Sequence, residues 1–210
     1  MNKTVELVNE WASFEEKYPK DNIEDFCRYY LAAKNNKDLA SQFLGGVVPP
    51  QNKSVLAKLL IKIVRMHNAY FSMSTKEIAI KQPEEFYFLS VIKQLQSPKK
   101  TEVIYYTVNE LSNGLNILSS LIEQGYIKEQ NDKEDKRTKR VSITAKGEKV
   151  LKLCYNKIHQ VSGMLFMDMS AGDIELCIQL LKNIDLKFSG QWVQHKGKAF
   201  DDVYLSMTNK

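Results

Sequence analysis

No run of apolar residues in this 210-residue chain approaches the roughly 18–20 positions that a membrane-crossing helix needs. The first residues, Met1-Asn2-Lys3-Thr4-Val5-Glu6, lack the basic-then-apolar order of a secretory leader. Together these absences predict a cytoplasmic protein. Cysteine is scarce. The three present, Cys27, Cys154 and Cys177, include no close pair, so neither a CxxC metal motif nor a disulfide framework is suggested. Each stands among apolar neighbours, and a buried free thiol is expected at all three; Cys27, beside Asp25 and Arg28, is the candidate for a redox role. His67, His159 and His195 lie far apart, and no Gly-rich loop cradles a phosphate. No Cys/His cluster has metal-ligand spacing. We assign no catalytic residue, metal or cofactor, and expect the protein not to be an enzyme. Internal repeats and low-complexity segments are also lacking.

What is there is ordinary for a globular chain: 43% hydrophobic and 26% charged residues. A net charge of +5 permits polyanion binding without requiring it. Apolar spacing predicts a helix over 4–17 with Thr4 as cap, and a second capped by Asp21 and ending near Asn36. Gly45-Gly46-Val47-Val48-Pro49-Pro50 reads as a linker. A long helix over 54–78 carries Leu56, Leu60, Ile63, His67 and Tyr70 on a seam widened by Leu59, Val64, Met66 and Phe71. So broad a seam fits burial against a symmetry mate, although a helix through one large core would look similar. His67 is expected as a core or interface residue. Pro83 opens the next helix, with Phe86, Leu89 and Ile92 on its apolar face, and Ser97-Pro98 starts a short one. Beyond the glycine near 147, one helix reaches about Met169 and another ends at Phe188. The tail after Gly190 has no firm period.

The centre of the chain is Leu111–Gly147. Leu111, Leu115, Leu118 and Leu121-Ile122 recur every three or four residues, which predicts a helix stopped by Gly125. Tyr126-Ile127 has strand character. The charged segment Asn131–Lys139 forms a tip, and Val141-Ser142-Ile143 alternates as a half-buried strand should. Helix, glycine stop, strand, charged tip, strand and helix in that order describe a helix-turn-helix with a wing. The fold class expected is mainly α: a winged helix-turn-helix with a small β-hairpin wing and long dimerisation helices.

These residues resemble the MarR family of bacterial transcription regulators. The resemblance rests on Leu121 to Ile127, on Asp135-Lys136-Arg137, and on Ile143-Thr144-Ala145-Lys146-Gly147. In element order it extends over roughly residues 54–190. It implies a homodimer that binds double-stranded DNA at a pseudo-palindromic operator, with a small-molecule effector or cysteine oxidation changing the spacing of the two reading heads. It further implies that Asp135 orients the wing tip and that Arg137 enters or borders the minor groove. Gly114 departs from the family's pattern at the start of the recognition helix.

The polar residues of that helix, Ser112, Asn113, Asn116, Ser119 and Ser120, are the candidate base and phosphate contacts. Helix capping and plain solvation would also account for them. Lys or Arg is absent from this helix, which predicts modest readout of guanine. Lys136, Arg137 and Lys139 in the wing, with Lys99, Lys100 and Lys146, are the candidate cationic contacts. Met66, Tyr70 and Phe86 are candidates to line an effector pocket. The expected domains are an extension and linker (1–50), a dimerisation helix (51–80), the DNA-binding domain (81–147), C-terminal dimerisation helices (148–190) and a tail (191–210). The alternative is a winged helix that contacts a protein partner and binds no DNA.

Overall fold

The computed structural model describes residues 2–34, 51–132, 134–135 and 137–208. The expected linker at 45–50 and the end of the second helix near Asn36 lie outside them, as does Lys136. The chain divides into two compact units, residues 1–62 and 63–210.

In the first unit, α1 (Lys3–Lys17) and α2 (Ile23–Lys34) each begin one or two residues from the expected cap. Asn2 rather than Thr4 caps α1, its side chain accepting the Thr4 N–H at 3.0 Å. Asn22 rather than Asp21 serves α2, accepting from Glu24 and Asp25 at 2.9 and 3.1 Å. A cap must stand just before the first helical residue, with its oxygen facing the free N–H groups of the first turn. Phe14 and Phe26 are buried, and Trp11 meets Phe26 edge-on at 5.0 Å. Cys27 is exposed. One residue along a helix is a turn of about 100°, which carries it off the face that Phe26 buries.

Helix α3 (Asn52–Ser74) crosses from the first unit into the second. Of its seam only Phe71 is buried, while Leu56, Val64, Met66 and Tyr70 are exposed. The second unit is built around α4 (Pro83–Leu95), which buries Phe86, Phe88, Leu89, Val91 and Ile92. A helix buried on more than one face is a central one. Around it stand α5 (Lys100–Tyr106), α6 (Leu111–Glu123) and α7 (Ala145–Leu165). The hairpin pairs β1 (Ile127–Asn131) with β2 (Lys139–Ile143), in the antiparallel register Ile127↔Ile143 and Glu129↔Val141. Ser97-Pro98 does not start α5, contrary to expectation. It runs extended beside β2, with the Val141 N–H donating to the Pro98 carbonyl at 3.0 Å and Lys99 bridging Arg140. Proline suits such an edge, because it supplies an acceptor and needs no donor partner.

Helix α8 (Ala171–His195) continues through Gly190, and α9 (Phe200–Thr208) follows, so the tail without a clear period is helical. Neither α8 nor α9 buries a residue. That leaves Cys177 exposed, and only Cys154 matches the expectation of a buried thiol. Burial, with the Glu85 carboxylate second, raises the Cys154 thiol to about 11.

Between α5 and α6 the backbone turns through Val108, whose φ is +54°. Val108 and Asn109 donate to the carbonyls of Tyr105 and Ile104 at 3.1 and 3.0 Å, which closes α5 in a Schellman arrangement. The left-handed conformation costs an L residue roughly 1–2 kcal/mol, and glycine avoids most of that. Val108→Gly is therefore expected to stabilise the protein by about 1 kcal/mol and raise the melting temperature by about 2–4 °C. An unchanged or lower melting temperature would show that the valine carries contacts worth more than its backbone strain.

Candidate nucleic-acid interface

Helix α6 buries Gly114, Ile117, Leu118 and Leu121. Leu111 and Leu115, expected on its apolar face, are exposed. A stripe of period 3.6 that contains Leu121, Leu118 and Ile117 runs back to position 114, not to 115. The departure at Gly114 thus has a packing reason. A Cβ there would stand 2.5–3.0 Å from the Ile104 side chain, so the glycine lets α5 and α6 approach closely. The outward face presents Ser112, Asn113, Asn116 and Ser119 together with the two leucines.

Ser120 points elsewhere. Its hydroxyl donates to Glu85 Oε1 at 2.8 Å, and the Gln124 amide donates to the same oxygen at 2.9 Å. The other carboxylate oxygen of Glu85 accepts the Lys81 N–H at 2.9 Å. Glu85 is fully buried. Its three donors fasten the start of α4 to the last turn of α6, and a buried carboxylate persists only when so satisfied. Tyr126 lies alongside, donating to the Ala79 carbonyl at 2.7 Å, and burial followed by the Glu85 charge raises its phenol above the ordinary value.

At the end of α6, Gly125 has φ +70°, and its N–H and that of Tyr126 return to Ile122 and Leu121 at 2.9 Å. Thr144 then caps α7 and bonds back to this corner: its hydroxyl donates to the Gly125 carbonyl at 2.7 Å and its N–H to Tyr126 at 2.9 Å. The hairpin is in this way anchored to the helix it follows.

The wing tip is built by two aspartates. Asp132 Oδ1 accepts the N–H groups of Glu134 and Asp135 at 2.9 and 3.0 Å, and its second oxygen pairs with Arg140. Asp135 accepts the backbone N–H of Arg137 at 3.0 Å and the Thr138 hydroxyl at 2.8 Å. The guanidinium of Arg137 is left exposed, with no ion-pair partner among the described residues. Among the described residues, the side chains of Arg140, Lys100, Lys139 and Lys146 are engaged. Arg140 also donates to the Ser97 carbonyl at 2.7 Å. Lys100 pairs with Glu129, and Lys139 lies 3.5 Å from Glu129 and 2.6 Å from Asn131. The Lys100 ammonium, with Lys139 beside it, holds Glu129 below the usual carboxylate range. Lys99 is half-buried, its N–H taken by Glu102 at 2.7 Å. Lys146 donates to the Gln124 carbonyl at 2.7 Å.

The N–H of Asp135, the Arg140 guanidinium and the N–H of Glu134 together hold Asp132 well below the ordinary carboxylate value. A depressed carboxylate stabilises fully above its unfolded value, near 4, and the contribution is lost as pH falls through the native value. The wing is therefore expected to persist in mild acid. A carbon-detected titration should place the Asp132 midpoint clearly below 4, with the Glu134 and Asp135 amides moving together with it. A midpoint near 4 would show that these bonds are not made in solution.

Phe86, one of the three candidate pocket residues, is in the core, 5.4 Å from Phe71 and 5.3 Å from Tyr155. Met66 and Tyr70 are exposed on α3. A groove of about 950 Å³ lies elsewhere, between α5 and the end of α8, lined by Pro98, Tyr105, Tyr106, Leu186 and Trp192 among others. Two contributors escape a reading of the sequence. From the sequence, Asp132 is read as part of an Asn-Asp turn and as an offsetting charge, and Asn109 as part of the lead-out from α5; neither is among the candidate contacts. An Asx residue two or three positions before free N–H groups is the available signal for Asp132.

Residues 83–147 match the family model described as a winged helix DNA-binding domain. Over about two thirds of the chain the fold is shared with solved structures of MarR. A crystal structure of MarR superposes with a TM-score of 0.58 at 20% identity, covering 63% of this chain and 96% of that one. A mutant MarR from E. coli complexed with operator DNA gives 0.59 at 17% identity, covering 65% and 99%. The PcaV transcriptional regulator from Streptomyces coelicolor, in complex with its natural ligand, gives 0.57 at 13%, covering 66% and 96%. No curated protein sequence matches. No described helix is long and apolar enough to cross a membrane.

Proposed function

We propose that the protein is a MarR-family transcription regulator that binds a pseudo-palindromic operator as a homodimer in the cytoplasm. The observation that carries this reading is the pairing of an outward polar face on α6 with a backbone-anchored Arg137 at the wing tip that has no ion-pair partner among the described residues. Arginine is drawn to the negative potential of a narrow minor groove, while the start of a recognition helix meets base edges. The dimer is supported by exposed apolar residues such as Val64 on α3 and Leu180, Ile184 and Phe188 on α8, which a second copy would cover. A small-molecule effector is part of the reading, supported by the fold shared with PcaV, which was solved in complex with its natural ligand. The groove beside α5 has room for an effector. No catalytic step is included.

A second reading, a protein-interaction module, is favoured by the lack of Lys or Arg on α6 and by the internal pairing of Lys100, Lys139 and Arg140. Titration of the full-length protein with duplexes selected from a random pool separates the two. A regulator should bind, with affinity falling steeply as salt rises, because neutralised phosphates release counterions. Absence of duplex binding at low salt would favour the interaction module.

A further inference from the structure

The polar residues on the outer face of α6 differ in how they are held. Asn113 Nδ2 donates to Asn109 Oδ1 at 2.9 Å. Asn109 in turn donates its own amide to the Thr107 carbonyl at 3.0 Å and to the Thr107 hydroxyl at 3.2 Å. A backbone carbonyl only accepts, so the Thr107 contact fixes which end of the Asn109 amide faces it. The Asn109 oxygen must then face away, and the group it meets must be the Asn113 nitrogen. The chain Thr107–Asn109–Asn113 thereby sets the orientation of an exposed amide in the first turn of α6.

The turn beneath it is itself restrained. The Asn109 N–H is held by Ile104, and its carbonyl accepts from Lys196 Nζ at 3.2 Å, with that ammonium 4.4 Å from the centre of the Tyr105 ring. What remains to Asn113 is one Nδ2 hydrogen and the whole of Oδ1. That is the donor and acceptor pair that matches N7 and the N6 amino group of adenine in the major groove.

We propose that Asn113 reads an adenine in each half-site and that Asn109 is the positioning residue that presents it. This rests on the DNA-binding reading above. Because the amide is oriented before it meets DNA, less rotamer freedom is lost on binding than at a side chain that, like Asn116, has no hydrogen bond among the described residues.

The test uses the full-length protein and a duplex selected from a random pool, at one fixed salt concentration. Each selected adenine is replaced in turn, in both half-sites, by 7-deazaadenine, which lacks the N7 acceptor. One replacement is expected to weaken binding about tenfold. In Asn113→Ala that same replacement should have no effect, while the melting temperature stays near that of the wild type. Asn109→Ala should reduce the adenine preference several-fold. Asn109→Asp keeps an acceptor for Asn113 but loses the donor to the Thr107 carbonyl, and should reduce the preference less than Asn109→Ala does. The proposal is overturned if Asn113→Ala remains as sensitive to 7-deazaadenine as the wild type, or if Asn116→Ala abolishes that sensitivity instead. A wild-type protein that binds duplex with no adenine-dependent position overturns this inference alone. One that binds no duplex overturns the DNA-binding reading with it.

Discussion

Gly147→Ala is expected to destabilise the protein by about 3 kcal/mol, lowering its melting temperature by about 10 °C. A Cβ at this position would overlap the carbonyl oxygen of Tyr126 and stand 2.9 Å from Ile143 Cγ1. The obstacle is backbone, so no rotamer change relieves it. That carbonyl also accepts the Thr144 N–H, and the Gly147 N–H bonds to the Thr144 hydroxyl at 3.1 Å. Any shift that admits the methyl group therefore pulls α7 away from the corner that holds the hairpin. Gly163, in the same helix, has open space around its missing side chain. Gly163→Ala should be neutral or stabilising by up to about 1 kcal/mol, since alanine favours helix more than glycine does. Thermal melts of the two variants provide the check. Equal melting temperatures would mean that α7 does not approach Tyr126 as described.

Arg137→Ala is expected to weaken binding to selected duplex on the order of 100-fold at fixed salt. Hydrogen bonds made by a charged group contribute roughly 1.5–3 kcal/mol each, and a dimer would lose one such arginine from each wing. The salt dependence should also become shallower, because two fewer phosphate-neutralising charges are present. Asp135→Ala leaves the charge but removes the acceptor for the Arg137 N–H and the Thr138 hydroxyl. It should cost less affinity and leave the salt slope unchanged. An anisotropy titration at several salt concentrations separates the two effects. Unchanged affinity in Arg137→Ala would remove the wing tip from the interface.

Much of the fold was legible because its signals are short-range. Pro83 at the first turn of α4, the glycine stop at 125, and the alternation of Val141 and Ile143 each depend on a few neighbours in the chain. Local sterics and hydrogen bonding dictate such features wherever they occur. The candidate site was less legible. Arg140 and Arg137 look alike in a charged run, and only the fold shows that one is tied to Asp132 and Ser97 while the other is free of ion pairs among the described residues.

By itself the sequence determined the order of elements in the winged domain, the position of the wing and the lack of cationic residues on α6. The tertiary structure alone decided that Ser120 turns inward to Glu85, 35 residues away, and that Gly114 exists for the approach of Ile104. It also decided that Pro98 is an edge acceptor for Val141 and that Asn109 orients Asn113. The division has one cause. Periodicity and caps are properties of adjacent residues, whereas the burial of a carboxylate, a close helix contact or the engagement of a lysine depends on partners that only folding brings together.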